Sequence, residues 1–346
     1  MDEHTRRRLP AEWENDGAIL LSWPHKDTDW AGMLVRVTRC YVALSKAVIE
    51  AGQRLVIVAP DTSVPRRLLA SLPQDKILYA DLPTNDTWTR DFGPITVEEP
   101  DGTPVIVDFK FNGWGLKFAA NHDNLVTSRL VKCGLLRGSR DNQLSFVLEG
   151  GSIESDGKGT LMTTSECLLS PNRNGSMTRA EIEEKLKATL GASHILWVDH
   201  GALEGDDTDS HIDTLARIAP DDTIIYTACD DPSDSHYVSL SKMEKQLKTL
   251  RTIDGQPYNL VSLPLPDPEY DEDGNRIPAT YANYLVTPGA VLMPSYGQKM
   301  KDLLAARILN MVWGRKVIAV DCRALIRQHG SLHCATMQIP SSVICI

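Results

Sequence analysis

One helical pattern recurs along the chain at nearly constant spacing, and this constrains the fold more than any other feature. Five helix-like segments begin near Trp30, Asn121, Thr178, Ser235 and Gln298, so successive starts lie 91, 57, 57 and 63 residues apart. A fixed period of this length is typical of folds built from similar units that bury a common core. The sequence therefore predicts five units, with additional residues in the long first interval.

The third helix has the clearest boundaries. Thr178 and Glu181 form a capping-box pattern at its start, and Gly191 supplies the stop. Short runs rich in β-branched and aliphatic residues lie between the helices, at 18–22, 54–58, 105–107, 160–162, 224–226, 291–293 and 317–320. Each unit then holds a few strands and one helix. The segment 64–85 has no evident place, and 264–278, with its Pro, Asp and Glu content, is expected to form an exposed loop.

Units of this kind, arranged around an axis, predict an α/β fold. We expect a five-bladed α/β propeller with pseudo-fivefold repeats of ββαβ type, formed by a single domain over residues 1–346. A chain of 346 residues with 42% hydrophobic content can bury a core of that size. The alternative is an ordinary open α/β sheet.

The composition excludes some classes of function. With 36 Lys and Arg against 46 Asp and Glu, the net charge is −10, which argues against nucleic-acid or anionic-membrane partners and favours a cationic ligand. No apolar run is long enough for a membrane span. The basic N-terminus lacks a following apolar segment, so we expect no secretory signal and a cytoplasmic location. Seven cysteines without a C-x-x-C pair indicate reduced thiols. Homo-oligomerisation is left open.

Three polar segments hold the chemistry. They are 88–94, 206–213 and 330–338, and the last contains Cys334. Together they supply a thiol, an imidazole and several carboxylates, a set suited to covalent attack on a guanidinium carbon. Carboxylates match the planar donors of a guanidinium, and the thiol must ionise before it can attack.

The segment 209–213 has the pattern D-x-H-x-D. If this segment is extended, Asp209, His211 and Asp213 lie on one face. A solvated acidic loop is one alternative. A manganese site is another, because ureohydrolases such as arginase and agmatinase carry D-x-H-x-D ligands. Such a site needs a second acidic motif, which 229–234 does not supply, so we expect no metal and no other cofactor.

The other candidate residues adjoin turns or glycines. Asp91 precedes a Gly-Pro turn, and its alternative role is a buried ion pair with Arg90 that closes a loop. Glu149 precedes two glycines, where the backbone can approach a ligand closely. His333 adjoins Cys334, and adjacent side chains of an extended strand point to opposite faces. We therefore expect His333 to be structural and His211 to be the general base.

Six motifs in sequence order resemble the family of agmatine deiminases and bacterial peptidylarginine deiminases, within the guanidine-modifying superfamily. They cover the chain from Arg8 to Pro340. They are R-L-P-A-E-W-E with L-S-W-P-H at 8–14 and 21–25, W-x-R-D-x-G-P at 88–94, F-N-G-W at 111–114, E-G-G-S-I at 149–153, D-T-D-x-H-x-D at 207–213 and H-C-x-T-x-Q-x-P at 333–340.

The resemblance implies a pentein-like α/β propeller of five quasi-repeats and a role for each of six residues. Cys334 would be the nucleophile, His211 the acid and base, Asp91 and Asp213 the carboxylates that hold the guanidinium, Glu149 a support that orients His211, and Trp88 a flank for the alkyl stem. No metal ligand is implied.

The resemblance also implies the reaction. Agmatine would be hydrolysed to N-carbamoylputrescine and ammonia through a cysteine thiouronium intermediate, as a step of putrescine biosynthesis. Peptidylarginine or free arginine as substrate, and a non-catalytic binding protein on the same scaffold, are the alternatives. The sequence departs from the usual pattern at Ser210, where glycine is common, at Glu154, where histidine is common, and at 330–331, where the glycine run is longer. These departures concern the distal end of the substrate.

Overall fold

A computed structural model describes residues 7–345, and within them five small sheets share one strand pattern. In each sheet a first strand pairs antiparallel with a second, and the second pairs parallel with a third. Parallel neighbours need a crossover connection, and each time the crossover contains a helix. This is the predicted ββαβ arrangement, found five times in the described residues.

The strands are β1 (Ala18–Ser22), β2 (Arg54–Ala59), β3 (Ile77–Asp81), β4 (Ile95–Glu98), β5 (Pro104–Lys110), β6 (Ser139–Val147), β7 (Ile153–Ser155), β8 (Thr160–Thr164), β9 (His194–Val198), β10 (Ala216–Ala219), β11 (Thr223–Ala228), β12 (Asn259–Pro264), β13 (Glu269–Tyr270), β14 (Arg276–Ile277), β15 (Leu285–Val286), β16 (Ala290–Ser295), β17 (Lys316–Asp321) and β18 (Met337–Ile339). They form sheets in the orders β18-β1-β2-β3, β4-β5-β6, β7-β8-β9, β10-β11-β12 and β15-β16-β17, and β13 pairs with β14 alone.

The five crossover helices are α1 (Leu34–Glu50), α2 (Val126–Lys132), α3 (Arg179–Leu190), α4 (Tyr237–Leu247) and α5 (Lys299–Trp313). Each begins one to five residues after its predicted start. Shorter helical segments are Ser63–Leu68, Thr89–Phe92, Gly113–Leu116, Ser165–Leu168 and Pro171–Asn174. Among the helices described, none is long and apolar enough to cross a membrane.

The capping box of α3 is confirmed. The Thr178 hydroxyl accepts a hydrogen bond from the Glu181 N–H at 3.3 Å, and the Glu181 carboxylate accepts one from the Thr178 N–H at 2.7 Å. Gly191 ends the helix with φ of 73°, a left-handed conformation that favours glycine.

The last strand completes the first sheet. β18 pairs antiparallel with β1, with Ala18 opposite Ile339. The chain passes so close at this junction that a methyl group on Gly17 would lie 2.1 Å from the Ile339 carbonyl oxygen. This pairing joins the two ends of the described chain and holds Cys334, which precedes β18, against the first units.

The structure adds to the sequence analysis at three points. The five separate sheets rule out an open α/β sheet. The segment 64–85 contributes β3, a fourth strand that pairs parallel with β2. The expected exposed loop at 264–278 is exposed at 272–275, around the Asp273-Gly274 turn, but it also contains the β13–β14 hairpin, in which Ile277 is buried.

Packing of the hydrophobic core positions the backbone that leads into the polar segment 88–94. α1 buries Val37, Tyr41, Leu44 and Val48 along one stripe. The Tyr41 hydroxyl donates to the Thr87 carbonyl at 3.2 Å, which anchors the backbone immediately before the first polar segment to this helix.

Candidate active site

The segments that carry Asp91 and Cys334 lie in direct contact. The Arg90 N–H donates to the carbonyl of Cys334 at 3.2 Å, and the Thr89 hydroxyl donates to the carbonyl of Ala335 at 3.0 Å. Backbone bonds therefore hold the two motifs together although they lie far apart in the sequence.

Gly151 lies where three of the predicted site residues converge. A methyl group at this position would lie 2.7 Å from Nδ1 of His211, 2.8 Å from Oδ1 of Asp91 and 3.1 Å from Oδ2 of Asp213. Only a glycine allows these three side chains to approach the backbone so closely. In the sequence, the two glycines after Glu149 were only weak evidence of a functional site. The close approach of these three side chains to Gly151 explains why glycine is needed there.

The segment 209–213 is not extended, so the expectation that its three polar side chains share one face is wrong. Asp209 and Ser210 have φ of 62° and 61°, and a short 3-10 turn, Ile212–Thr214, follows. The Asp206 carboxylate stabilises this bend by accepting the N–H groups of Thr208 and Ser210 at 3.1 and 2.6 Å. The left-handed φ of Ser210 explains why glycine suits this position.

The bend separates the three side chains. Asp209 turns outward, where its carboxylate pairs with Lys117 at 2.7 Å and with Arg173 at 2.5 Å. His211 and Asp213 are fully buried. A D-x-H-x-D manganese site therefore does not form, because two cations occupy Asp209.

Asp91 is buried and held by two donors. Its Oδ1 accepts the Gly151 N–H at 3.0 Å, and its Oδ2 accepts Nε1 of Trp114 at 2.9 Å. Burial, followed by the charge of Asp213, raises the pKa of Asp91 well above its ordinary value. The alternative of an Arg90–Asp91 ion pair is wrong, because Arg90 pairs with Glu12 at 3.1 Å. The sequence did not single out Trp114 as a site residue.

Asp213 has the opposite electrostatic environment. Burial alone would raise its pKa, but the hydrogen bond and charge of His333, at 2.6 Å, lower it below the ordinary value. Two neighbouring carboxylates with pKa values displaced in opposite directions are typical of sites that handle charge and protons.

His211 has no hydrogen-bond partner at either ring nitrogen among the described residues. Its Nδ1 is 3.6 Å from Oδ1 of Asp91. Burial lowers the pKa of His211 to about 3, so the imidazole is neutral near pH 7 and can accept a proton. Its free ring nitrogens place His211 as a proton acceptor, but a pKa this low makes the ring a weak base until its surroundings change.

Cys334 is 5% exposed and lies in a turn rather than in an extended strand. Burial, followed by the charges of Asp213 and Asp91, raises the pKa of the thiol well above its ordinary value. Its Sγ is 3.4 Å from Oδ1 of Asn283, which also accepts the His333 N–H at 2.9 Å. Nothing in the sequence around Asn283 indicated this contact.

Glu149 is fully buried and bound by Arg173, whose Nε lies 3.0 Å from both carboxylate oxygens. Atoms of Glu149, Cys167 and His211 lie within 4.8 Å of one another, so Glu149 is close to His211, although its role in orienting that ring stays a prediction. These three side chains could also surround a metal ion, but the Arg173 cation against Glu149 disfavours a second cation there. The sequence gave Arg173 no role.

Cys334, Asp91 and Trp88 line a narrow cavity of about 40 Å³. The cavity wall also contains Asp29, Asp86, Trp114, Phe118, Asp207, Thr208, Gln328, His329 and Gly330. Gly330 lies flat against Trp88, since a methyl group there would be 2.3 Å from its Cζ3 atom. Glu149, His211 and Asp213 are outside this lining. A larger cavity of about 270 Å³, between the N-terminal segment and residues 340–342, lacks Cys334 and Asp91.

The Asp, Glu, Lys and Arg side chains that line this cavity in the described residues are all aspartates. Asp29, Asp86 and Asp207 add three carboxyl groups to Asp91, and no Lys or Arg is among the lining residues described. Burial raises the pKa of Asp86 to about 6, so this carboxyl is still largely ionised at pH 7. The cavity therefore favours a ligand that is cationic along its length.

Comparison with known proteins covers almost the whole chain. The profile of the Porphyromonas-type peptidyl-arginine deiminases matches residues 8–340. A Vibrio parahaemolyticus protein, provisionally named an agmatine deiminase, is 33% identical over 96% of this chain and 96% of its own length.

Two solved structures are similar over the same span. A Porphyromonas gingivalis protein, provisionally assigned as an arginine deiminase, is 49% identical, with a TM-score of 0.92 over 98% of this chain and 100% of that chain. C. jejuni agmatine deiminase, solved as a cysteine-to-serine variant with substrate bound, is 37% identical, with a TM-score of 0.88 over 96% and 95% of the two chains. The protein therefore belongs to the Porphyromonas-type peptidyl-arginine deiminase family, which consists of hydrolases that act on guanidino C–N bonds.

Proposed function

We propose that the protein is an agmatine deiminase that produces N-carbamoylputrescine and ammonia without a metal or other cofactor. The observation that carries the choice of substrate is the acidic cavity, whose lining in the described residues holds four carboxyl groups and no Lys or Arg. Agmatine is cationic at both ends. Free arginine would bring an α-carboxylate into the same field, where like charges repel.

The Lys and Arg residues nearest in sequence to the site do not provide a cation for the α-carboxylate of free arginine. Arg90 pairs with Glu12, Arg173 with Glu149 and Asp209, and Lys117 with Asp209. Each would have to leave an ion pair to reach a substrate carboxylate. This is costly for the buried pairs of Arg90 and Arg173, whereas the pair of Lys117 with Asp209 is partly exposed.

In the proposed reaction, Asp91 and Asp213 bind the guanidinium, and Cys334 loses its proton to His211. The thiolate adds to the guanidinium carbon and gives a tetrahedral adduct. His211 then returns the proton to the departing nitrogen, ammonia leaves, and an S-alkylthiouronium remains. Water, deprotonated by His211, adds to the same carbon and expels the Cys334 sulfur, which leaves the ureido product.

Binding of the substrate guanidinium activates the Cys334 thiol. Before binding, the thiol is held protonated by burial and by two carboxylates. A guanidinium that neutralises Asp91 and Asp213 removes this opposing charge and favours the thiolate. His211, neutral near pH 7, is the acceptor for this proton once binding of the cation has lowered the pKa of the thiol.

We further propose that the five ββαβ units are the blades of one propeller domain. The pairing of β18 with β1, which makes the first unit from both ends of the chain, supports this arrangement.

A peptidylarginine or free-arginine deiminase is the second candidate, favoured by the family description and by the Porphyromonas gingivalis relative. A panel of agmatine, free arginine and a blocked arginine peptide, scored by ammonia release and product mass, separates the candidates. Preference for either arginine compound would contradict the agmatine assignment. Urea and putrescine as products, lost on chelation and restored by manganese, would contradict the deiminase chemistry itself.

A further inference from the structure

Asp209 has no role in the proposed reaction, although the sequence pattern singles it out together with His211 and Asp213. Its side chain is 27% exposed and binds two cations that lie on two other segments of the chain. Nζ of Lys117 is 2.7 Å from Oδ1, and Nη1 of Arg173 is 2.5 Å from Oδ2. We call these three residues the Asp209 network.

The two cations of the Asp209 network also bind the backbone next to Asp209. Nζ of Lys117 donates to the carbonyl of Asp207 at 2.6 Å, and Nη2 of Arg173 donates to the carbonyl of Thr208 at 2.8 Å. Arg173 is itself fixed, because it is fully buried and its Nε donates to Glu149 at 3.0 Å. The network therefore ties the backbone before His211 to a buried anchor.

This backbone needs support from outside. Asp209 and Ser210 have φ of 62° and 61°, a conformation that is costly for residues with a Cβ atom and persists only where the surroundings impose it. Asp221 and Asp222 form another such pair, with φ of 57° and 51°, but the paired strands β10 and β11 hold that turn. The bend at Asp209 lies outside the sheets, so side-chain contacts must hold it.

The bend sets the position of His211. Among residues 7–345, neither ring nitrogen of His211 has a hydrogen-bond partner, so no bond to the ring fixes its orientation. The backbone N–H of His211 donates to the Thr208 hydroxyl at 3.0 Å, inside the bend. Packing and the preceding backbone therefore place the ring, and a change in the bend would displace it.

We propose that Asp209 is a positioning residue, which holds the bend through Lys117 and Arg173 and so orients His211 towards the reacting groups. Asp209 acts through His211 and does not itself touch the substrate. The inference rests on the proposed function, because it assumes that His211 transfers the proton.

The first test is Asp209→Ala. We expect kcat for agmatine to fall by about tenfold to a hundredfold, because the proton acceptor is displaced. KM should change by less than about twofold, because Asp91 and Asp213 still bind the guanidinium. The matched control is Asp222→Ala, which removes an exposed aspartate from the other left-handed pair and should keep both constants. An unchanged kcat in Asp209→Ala, or a fall in kcat accompanied by a similar rise in KM and a lower melting temperature, would overturn the proposal.

A second variant leaves the buried part of the network in place. Lys117→Met keeps the apolar stem of a partly exposed side chain and removes one of the two ion pairs of Asp209. We expect kcat to fall by about threefold, and to fall by less than this when the change is made in Asp209→Ala, where the network is already broken. Fully additive losses would mean that Lys117 acts independently of Asp209, which contradicts the network.

A third test needs no substrate. In protein with ¹³C-labelled histidine rings, the His211 signal is identified by its loss in His211→Asn. It should be single in wild type and in Asp222→Ala, and broadened or split in Asp209→Ala, because the ring then takes more than one position. An unchanged His211 signal in Asp209→Ala overturns the positioning role. If agmatine is not turned over by wild type, the proposed function fails, and this spectrum alone decides whether Asp209 positions His211.

Discussion

Asp91 and Asp213 approach the same α-carbon, that of Gly151, yet their environments displace their pKa values in opposite directions. A methyl group on Gly151 would lie 2.8 and 3.1 Å from the two carboxylates. The pKa of Asp91 is raised by burial and by Asp213, whereas that of Asp213 is lowered by His333. Two carboxylates this close do not both ionise without a counter-charge. A guanidinium bound beside both would supply one, and each carboxylate could then act as an anion.

The first prediction concerns Gly151→Ala. The added methyl group would collide with the ends of His211 and Asp91 rather than with the backbone, so the protein should fold while the reacting groups are displaced. We expect a fall in kcat/KM of about a hundredfold or more, as displacements near 1 Å produce. The control is Gly32→Ala, where no atom lies within 4 Å of the added methyl group. Equal activity of the two variants, with equal melting temperatures, would contradict this geometry.

The second prediction concerns the nucleophile. Cys334→Ala should lose turnover by several orders of magnitude while it keeps its fold and still binds agmatine, because only the attacking sulfur is removed. Cys133→Ala, at an exposed thiol, should retain wild-type activity. Mass spectrometry of the quenched wild-type reaction should find the substrate-derived adduct on the peptide that contains Cys334. An adduct on another cysteine, or comparable turnover by Cys334→Ala, would refute the covalent mechanism.

The third prediction concerns how the rate of alkylation of the Cys334 thiol depends on pH. Because burial and the neighbouring carboxylates raise the pKa of Cys334, its thiolate is scarce at neutral pH and increases as the pH rises. The rate of Cys334 alkylation by iodoacetamide in the empty enzyme should therefore still be rising above about pH 8.5, where an ordinary thiol is half ionised. Peptide mapping against exposed Cys133 measures the difference. A rate that levels off at lower pH for Cys334 than for Cys133 would show that the empty site already stabilises the thiolate.

Much of the fold was predictable because it depends on local periodicity. The helix starts and the Thr178 capping box depend on residues within a few positions of one another, and they are confirmed. The strand β3 was not placed, since its partner is set by pairing with β2 rather than by its own sequence.

The candidate site was likewise only partly predictable from the sequence. The sequence motifs pointed to Cys334, His211, Asp91 and Asp213, and the structure brings the last three of these around Gly151. Arg173, Trp114 and Asn283 were missed, because each acts through a contact with a residue distant in the chain. The bend at 209–213 was also missed, since two consecutive left-handed residues without glycine leave no pattern in the sequence.

The last prediction concerns the choice of substrate. With Asp29, Asp86 and Asp207 in its lining and no Lys or Arg among the lining residues described, the cavity should favour agmatine over free arginine by at least about tenfold in kcat/KM, which corresponds to roughly 1.4 kcal/mol.

Two of those carboxylates can be neutralised without touching the reacting groups. In Asp29→Asn combined with Asp207→Asn, we expect the KM for agmatine to rise by about threefold to tenfold with little change in kcat, because partly exposed charge pairs contribute modestly to binding. Discrimination against arginine should fall as well, since less negative charge opposes its carboxylate. Asp27→Asn is the matched control, an exposed carboxylate on the same loop that is not part of the cavity lining. If the double variant kept the wild-type KM and the wild-type preference, the carboxylates of Asp29 and Asp207 would not select the substrate, and another contact would have to do so.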